Sequence, residues 1–250
     1  MILSHSHQFI FLKTRKTGGT SFEIALSKYA GPEDVVTPIA PADEKIRAAL
    51  GHGGPRNHLG DAGPAAPGGQ HPPGLRFYNH MEAAELRALV PQPVFDGYLK
   101  VAITRNPFDY VVSWYYWERA RHGPTSPQDF RVWLKYHHLR QPEIEAAYRR
   151  RQHTNPGVFA SNRLITHVDG RSVVDLMIRY EDFEHDVPAF AARVGLPASL
   201  YREFSEISAK GGYRPASATS RAMFEGFPEG RALIEKMFAE DIETHHYALA

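Results

Sequence analysis

Short apolar runs alternate along the chain with segments of helical periodicity. An apolar run bounded by turn residues predicts a strand that is buried on both faces of a sheet. Such runs occupy residues 8–14, 76–79, 99–104 and 173–180, and helical spacing occupies residues 20–29, 82–89, 108–121 and 229–247. The alternation predicts an α/β fold with a mainly parallel sheet flanked by helices. It also predicts a single domain over residues 1–250, because one pattern without internal repeats runs through the chain.

The first predicted strand leads through a glycine-containing turn into the helix at 20–29. The turn comprises Lys16, Thr17, Gly18, Gly19, Thr20 and Ser21. A helix N-terminus presents unpaired amide groups and a partial positive charge, and glycines allow an anion to approach the backbone. In a nucleotide triphosphatase loop the lysine follows the last glycine, whereas here it precedes the glycines. Two interpretations compete: a phosphate-binding turn, and an ordinary turn whose helix is capped by Thr20 and Glu23.

A second candidate site follows the predicted strand at 99–104. Arg105 stands at the carboxyl end of that strand, where open α/β sheets bind ligands. Asn106 and Pro107 predict the start of a helix, on which Ser113 shares a face with Asp109. A guanidinium and a hydroxyl that converge there suit a phosphate. The alternative is that Arg105 pairs with Asp109 while Ser113 packs.

Composition narrows the classes of function. The chain carries 29 Lys and Arg against 28 Asp and Glu, so its formal net charge is +1. It therefore lacks the excess of positive charge that is typical of a protein that binds nucleic acid. It has no cysteine, which excludes a disulfide scaffold, a cysteine nucleophile and a thiolate metal site. Its paired histidines have no matching ligands nearby in sequence, so no metal site is predicted. Since no apolar stretch is long enough for a membrane span, we expect a cytoplasmic protein.

Three segments together resemble a known family. The turn at 16–21 is similar to the 5′-phosphosulfate loop of sulfotransferases that use 3′-phosphoadenosine 5′-phosphosulfate (PAPS). Residues 105–109 with Ser113 resemble the 3′-phosphate motif of that family, and residues 179–183 resemble another of its recurrent segments. The carbohydrate-type branch, which includes heparan sulfate 2-O-sulfotransferase and bacterial relatives, is the most similar.

The resemblance implies a P-loop-NTPase-like sulfotransferase fold that binds PAPS. It places Lys16 beside the bridging oxygen of the phosphosulfate as a catalytic residue, with the rest of the turn on the 5′-phosphate. It places Arg105 and Ser113 on the 3′-phosphate. Families of this kind also close a basic, glycine-containing segment over that phosphate, and the corresponding residues here are Lys210, Gly211, Tyr213 and Arg214.

The resemblance also implies a general base for a hydroxyl acceptor. His80 follows the predicted strand at 76–79, where similar carbohydrate sulfotransferases carry a histidine base, and Glu82 is the reserve candidate. The acceptor is a carbohydrate or a small molecule with a hydroxyl or an amine. Two regions are candidates for contacting it: residues 51–75, a predicted mobile loop with eight Gly and five Pro, and the basic stretch from Arg140 to His153.

Two other functions remain open from the sequence. A nucleotide-dependent kinase of related fold would need a Gly-Lys-Ser/Thr loop and Mg²⁺ ligands, and the chain contains no Gly-Lys dipeptide. A non-catalytic nucleotide- or anion-binding protein would keep the two phosphate motifs without using a base.

Overall fold

The structure is a computed structural model that describes residues 1–60, 74, 76–143, 161–209 and 211–249. The chain falls into two compact units. The first unit comprises Met1–Thr104 and Ser161–Lys210, and the second comprises Arg105–Ala160 and Gly211–Ala250. The single domain over residues 1–250 stays a prediction.

The described residues form short strands and helices. The strands are β1 (Ile2–Ser4), β2 (Phe9–Leu12), β3 (Val35–Val36), β4 (Leu99–Thr104), β5 (His167–Val168), β6 (Arg171–Ser172) and β7 (Leu176–Arg179). The helices are α1 (Gly19–Ser27), α2 (Pro41–Ala49), α3 (Ala83–Leu89), α4 (Gln92–Gly97), α5 (Pro107–His122), α6 (Phe130–Leu139), α7 (Ser161–Thr166), α8 (Phe183–Arg193), α9 (Leu200–Ser205), α10 (Ser220–Phe224), α11 (Pro228–Met237) and α12 (Ala239–His245). None of the helices in the described part of the chain is long and apolar enough to cross a membrane.

The first unit is built on a five-stranded sheet of order β3-β1-β2-β4-β7. The pairs β2–β4 and β4–β7 are parallel, whereas β1 pairs antiparallel with both β2 and β3. Four of the five strands therefore run in one direction, and only β1 opposes them. The predicted α/β fold, with a mainly parallel sheet flanked by helices, is confirmed.

Alternate residues of β2 contribute to two different cores. Phe9 and Phe11 belong to a core formed with α1, α8 and α9, whereas Ile10 and Leu12 belong to a core formed with α3, α4 and α7. All four side chains are buried. The run is apolar throughout because both faces of the strand are covered.

A group of charged side chains is buried beside this sheet. Lys13 Nζ lies 2.7 Å from Glu23 Oε2, and both side chains are at most 1% exposed. The amino group of Met1 donates to Glu23 Oε1 at 3.0 Å, and Arg47 Nη2 lies 3.5 Å from the same oxygen. Burial would raise the pKa of Glu23, but the charge of Lys13 beside it offsets this effect and holds that pKa below its usual value. Glu23 is therefore ionised and joins the end of β2 to α1.

The second unit consists of helices around an aromatic core. Phe108 packs edge-to-face on Phe224 with ring centroids 5.2 Å apart, and Tyr115 packs on Trp133 at 5.4 Å. Helix α5 of this unit begins as the sequence predicts. Asn106 is the N-cap, and its side-chain oxygen accepts a hydrogen bond from Phe108 N at 3.1 Å.

Three sequence predictions of local structure are wrong. The run at 76–79 forms no strand, since the amides of Arg76 and Phe77 both donate to the carbonyl of His58. The helix expected at 229–247 divides into α11 and α12, because Phe238 leaves helical geometry with φ −119° and ψ 29°. The first strand of the chain is β1, which precedes the run at 8–14.

The remaining element predictions are confirmed, with small differences at their ends. The runs at 8–14, 99–104 and 173–180 contain β2, β4 and β7, and the helical segments at 20–29, 82–89 and 108–121 overlap α1, α3 and α5.

Replacing Glu23 by Gln should destabilise the protein strongly. The substitution removes the negative charge beside the buried ammonium of Lys13, and breaking a buried pair in this way costs about 3–5 kcal/mol. Urea unfolding measures the loss. The matched control is Asp169→Asn, which breaks the exposed pair with Arg87 and should change the free energy of unfolding by about 0–1 kcal/mol. Similar losses in the two variants would contradict a structural role for the buried pair.

Candidate functional site

The backbone of the turn between β2 and α1 departs from the conformations of a strand and of a helix. Lys16 has φ +60° and Gly18 has φ +78°, so both lie in the left-handed region. Gly18 is the N-cap of α1, and its cap has no side-chain hydrogen bond. The predicted capping by Thr20 and Glu23 is therefore wrong: Thr20 lies inside α1, and Glu23 turns inward to Lys13. The first-turn amides of α1 are left without a side-chain cap.

The two glycines of the turn are closely packed by side chains. A Cβ at Gly18 would lie 3.3 Å from the ring of Phe183 and 3.4 Å from that of Tyr180. A Cβ at Gly19 would lie 3.2 Å from Cγ of Lys13. The structure thus brings the segment at 179–183, singled out in the sequence, against the turn. The rings of Phe183 and Tyr180 pack against the turn at Gly18.

The hydroxyl groups of the turn differ in their surroundings. Thr17 is buried, and its hydroxyl lies 2.8 Å from that of Thr14, which donates to the carbonyl of Ile103 at 2.6 Å. Ser21 Oγ accepts a hydrogen bond from Ala209 N at 3.1 Å and keeps its own proton to donate. Thr17 therefore ties the turn to β4, whereas Thr20 and Ser21 lie in the first turn of α1 with the helix amides.

Asn162 holds the turn and was not anticipated from the sequence. Its Oδ1 accepts from Arg15 N at 2.7 Å, and its Nδ2 donates to Arg15 O at 3.2 Å. Both polar atoms of one side chain therefore bind both backbone groups of the residue before Lys16. Only the fold brings α7 to the turn, so no local sequence pattern could have revealed the contact.

His80 lies against the same turn. Its Nδ1 is 2.9 Å from the carbonyl oxygen of Lys13. A carbonyl can only accept, so Nδ1 carries the proton and the lone pair of the neutral ring is on Nε2. Burial, with the positive charges of Arg15 and Lys13, holds the pKa of His80 well below its usual value. The structure therefore places a neutral imidazole beside the turn.

The backbone around His80 differs from the predicted strand-to-helix junction. His80 has φ +58° and lies in a turn, and α3 begins three residues later. Phe77 and Met81, on either side of it, are buried in the core with α3 and α4. Glu82, the reserve base, is the N-cap residue of α3 and forms no side-chain capping bond there.

In the second unit, Asp109 pairs with two of the predicted basic residues. Arg105 Nε and Nη2 lie 2.7 and 2.5 Å from Asp109 Oδ2, while Arg214 Nη1 bonds to Asp109 Oδ1. Ser113 is half-buried one helical turn beyond Asp109 on α5. Burial would raise the pKa of Asp109, but the charges of Arg105 and Arg214 outweigh this effect and hold it below its usual value. The pair of Arg105 and Asp109, which was the alternative interpretation of the sequence, is present, and Arg214 bonds to the same carboxylate.

Other predicted contact residues are exposed or lie outside the described residues. Gly211 and Tyr213 are exposed. Lys210 lies outside the described residues, as do most of the stretch from Arg140 to His153 and, within the predicted loop at 51–75, residues 61–73 and 75. Residues 51–60 are described, and Arg56 ties them to the first unit through a backbone bridge to Val36.

The side chains gathered at both positions are donors suited to an anion. Ammonium, guanidinium and hydroxyl groups and helix amides hold a phosphate directly. Across the described ranges, no three His, Asp or Glu side chains come together in a way that could hold a metal ion.

Comparisons of the chain with family models, with curated proteins and with solved structures find no match.

Alanine at Gly18 should cost more stability than alanine at Gly51. Both glycines have positive φ, +78° and +70°, but a Cβ at Gly51 meets nothing within 4 Å. The left-handed backbone alone costs about 1–2 kcal/mol for a residue with a Cβ. Gly18→Ala adds the contact with Phe183 and Tyr180 to that cost. Thermal unfolding of the two variants compares the losses, and equal losses would contradict close packing of these rings on the turn.

Proposed function

We propose that this protein is a sulfotransferase that transfers a sulfuryl group from PAPS to a hydroxyl group of a carbohydrate or small-molecule acceptor. The observation that carries the proposal is the contact between His80 Nδ1 and the Lys13 carbonyl. This contact keeps a neutral imidazole next to a turn that has a lysine, two glycines and an uncapped helix N-terminus. Such a turn suits a phosphate, and an imidazole beside it suits proton transfer.

The proposal assigns each set of donors to one phosphate of the nucleotide. When bound, PAPS supplies an activated sulfuryl group attached to its 5′-phosphate. The first-turn amides of α1, with the hydroxyls of Thr20 and Ser21 and the ammonium of Lys16, hold the 5′-phosphosulfate. Arg105, Ser113, Gly211, Tyr213 and Arg214 of the second unit hold the 3′-phosphate, and Lys210 is assigned to the same phosphate.

Lys16 stabilises the negative charge that develops on the leaving phosphate oxygen. This charge grows only as the S–O bond breaks, so the interaction is stronger in the transition state than in the ground state. The left-handed backbone of Lys16 supports the assignment, because Asn162 bonds to both the amide and the carbonyl of Arg15, the residue before it. A fixed backbone restricts where the ammonium can lie.

His80 accepts the proton of the acceptor hydroxyl at Nε2. The hydrogen bond from Nδ1 to Lys13 supports this role, since it sets the tautomer that leaves Nε2 unprotonated. The lowered pKa keeps the ring neutral at cytoplasmic pH. The neutral state of His80 favours catalysis over the binding of an anion alone, because binding an anion would not require an unprotonated imidazole beside the turn.

The protein should bind 3′-phosphoadenosine 5′-phosphate more tightly than AMP, and should do so without Mg²⁺. Arg105→Ala and Ser113→Ala should each reduce that preference, because each removes a partner of the 3′-phosphate. Calorimetry with the two nucleotides measures it. The control is Arg87→Ala, which removes an exposed arginine paired with Asp169 and should leave the preference unchanged. Equal affinity of the unmutated protein for the two nucleotides would overturn the proposal, and a requirement for Mg²⁺ would favour a kinase.

His80→Ala should slow transfer by about 10²–10⁴-fold, the usual contribution of a positioned base. The assay is single-turnover transfer from labelled PAPS to whichever acceptor reacts in a panel of saccharides and small hydroxyl compounds. A base works only while unprotonated, so a histidine with the usual pKa would lose its rate as the pH falls through 6.5. Because the pKa of His80 is held well below 6.5, the rate of the unmutated protein should stay constant through that range.

The exposed His185, which pairs with Asp186, provides the control, and His185→Ala should retain full rate. If His80→Ala retains the rate and Glu82→Gln abolishes it, the base is Glu82. A rate that halves near pH 6.5 in the unmutated protein would likewise contradict the role of His80.

A further inference from the structure

Asp109 joins two arginines that lie far apart in the sequence. Each of its carboxylate oxygens takes one guanidinium: Oδ2 accepts from Arg105 through Nε and Nη2, and Oδ1 accepts from Arg214 through Nη1. The carboxylate lies in the first turn of α5, whose start is fixed by the Asn106 cap. Asp109 is therefore a rigid point to which both arginines are attached.

The segment that carries Arg214 is attached to the same point. Arg214 Nε donates to the carbonyl of Ala218 at 2.6 Å, so its guanidinium is held at two edges. Ser220 Oγ donates to Asp109 Oδ1 at 3.0 Å, and Thr219 caps α10 through Ala222 N. The orientation of Arg214 is thus set by Asp109 and by its own backbone.

The three charged groups form a cationic set. The guanidinium groups of Arg105 and Arg214 would repel each other if the carboxylate of Asp109 were not between them. The two arginines and Asp109 together carry one net positive charge. A planar guanidinium offers two parallel N–H groups that match the oxygens of a phosphate, so its orientation matters as much as its charge. A carboxylate that bonds to both arginines fixes the orientation of their guanidinium groups, and it lowers the net charge of the set by one.

We propose that Asp109 is a positioning residue for the 3′-phosphate of the nucleotide, holding Arg105 and Arg214 in the orientation that binds it. Asp109 does not contact the phosphate. This inference rests on the proposed function, and it adds a role to the acidic residue that the sequence interpretation treated as the alternative to phosphate binding. The ligand class is a nucleoside phosphate that carries a 3′-phosphate group.

The sign of one substitution separates positioning from simple electrostatics. Asp109→Asn removes a negative charge close to two arginines, so charge alone predicts tighter binding of a 3′-phosphate. Positioning predicts weaker binding, because the neutral amide offers one acceptor oxygen instead of two and leaves the two guanidiniums to repel each other. The ratio of the Kd for AMP to the Kd for 3′-phosphoadenosine 5′-phosphate isolates the 3′-phosphate, since both ligands share the 5′-phosphate and the adenosine.

Calorimetry on the full chain should show this ratio falling at least tenfold in Asp109→Asn, while the Kd for AMP changes by less than about twofold. Binding of AMP also shows that the variant is folded. The control is Glu235→Gln, which removes an acid from an exposed arginine pair in the same unit and should leave the ratio unchanged. An unchanged or increased ratio in Asp109→Asn, with the preference of the unmutated protein intact, would overturn the inference.

Arg214→Lys tests the same idea without altering Asp109. Lysine keeps the charge but cannot bond to Asp109 and to the Ala218 carbonyl in the planar geometry of arginine. We expect the ratio to fall about tenfold, and an unchanged ratio would overturn the inference even where Asp109→Asn fails to fold. A different result, in which the unmutated protein shows no preference between the nucleotides, would reject the proposed function itself.

Discussion

The buried ion pair of Lys13 and Glu23 fixes the geometry on which the candidate site depends. Two charges removed from water cost several kcal/mol each unless they are paired, so neither side chain can leave the other without a large penalty. Lys13 directly follows β2 and Glu23 lies on α1, and their contact at 2.7 Å sets the distance between strand and helix. The carbonyl of Lys13 binds His80, and its Cγ lies against Gly19. One stabilising interaction therefore locates both the turn and the imidazole.

Two residues with proposed chemical roles have strained backbones that their surroundings hold in place. Lys16 and His80 have φ +60° and +58°, a region that residues with a Cβ rarely occupy. Such strain persists only where neighbouring contacts determine the conformation, and it concentrates at functional sites. Asn162 holds the peptide before Lys16, and the Lys13 carbonyl holds the ring of His80. The strain, the hydrogen bonds that maintain it and the proposed roles coincide at the same residues.

Local patterns predicted the elements well and the long-range partners poorly. Apolar runs and helical spacing located β2, β4, α1 and α5, because these features depend on the alternation of covered faces. The same patterns could not show that Glu23 would turn inward to Lys13 and leave the helix uncapped, since Thr20 and Glu23 have the spacing of a capping box. Asn162 was missed for a related reason: its partner Arg15 is 147 positions away.

At residues 76–80 the backbone differs from the one that the sequence predicted. The sequence predicted His80 as a candidate base after a strand, but His80 lies in a turn and no strand precedes it. Phe77 and Met81 are buried as single anchors on either side of the turn, and a short apolar run with that burial is easily taken for a strand. Phe77 and Met81 do flank His80 with buried side chains, and burial is the main cause of the lowered pKa of His80.

The charges near the turn have two effects that would otherwise conflict. A phosphate site needs cations, and a general base must remain unprotonated. Under the proposed function both conditions hold together, because the positive charges of Arg15 and Lys13 add to burial in lowering the pKa of His80. A carboxylate base would carry a negative charge, which would repel an anion bound at the turn. The electrostatics of the first unit are therefore consistent with a histidine as the base beside a bound phosphate.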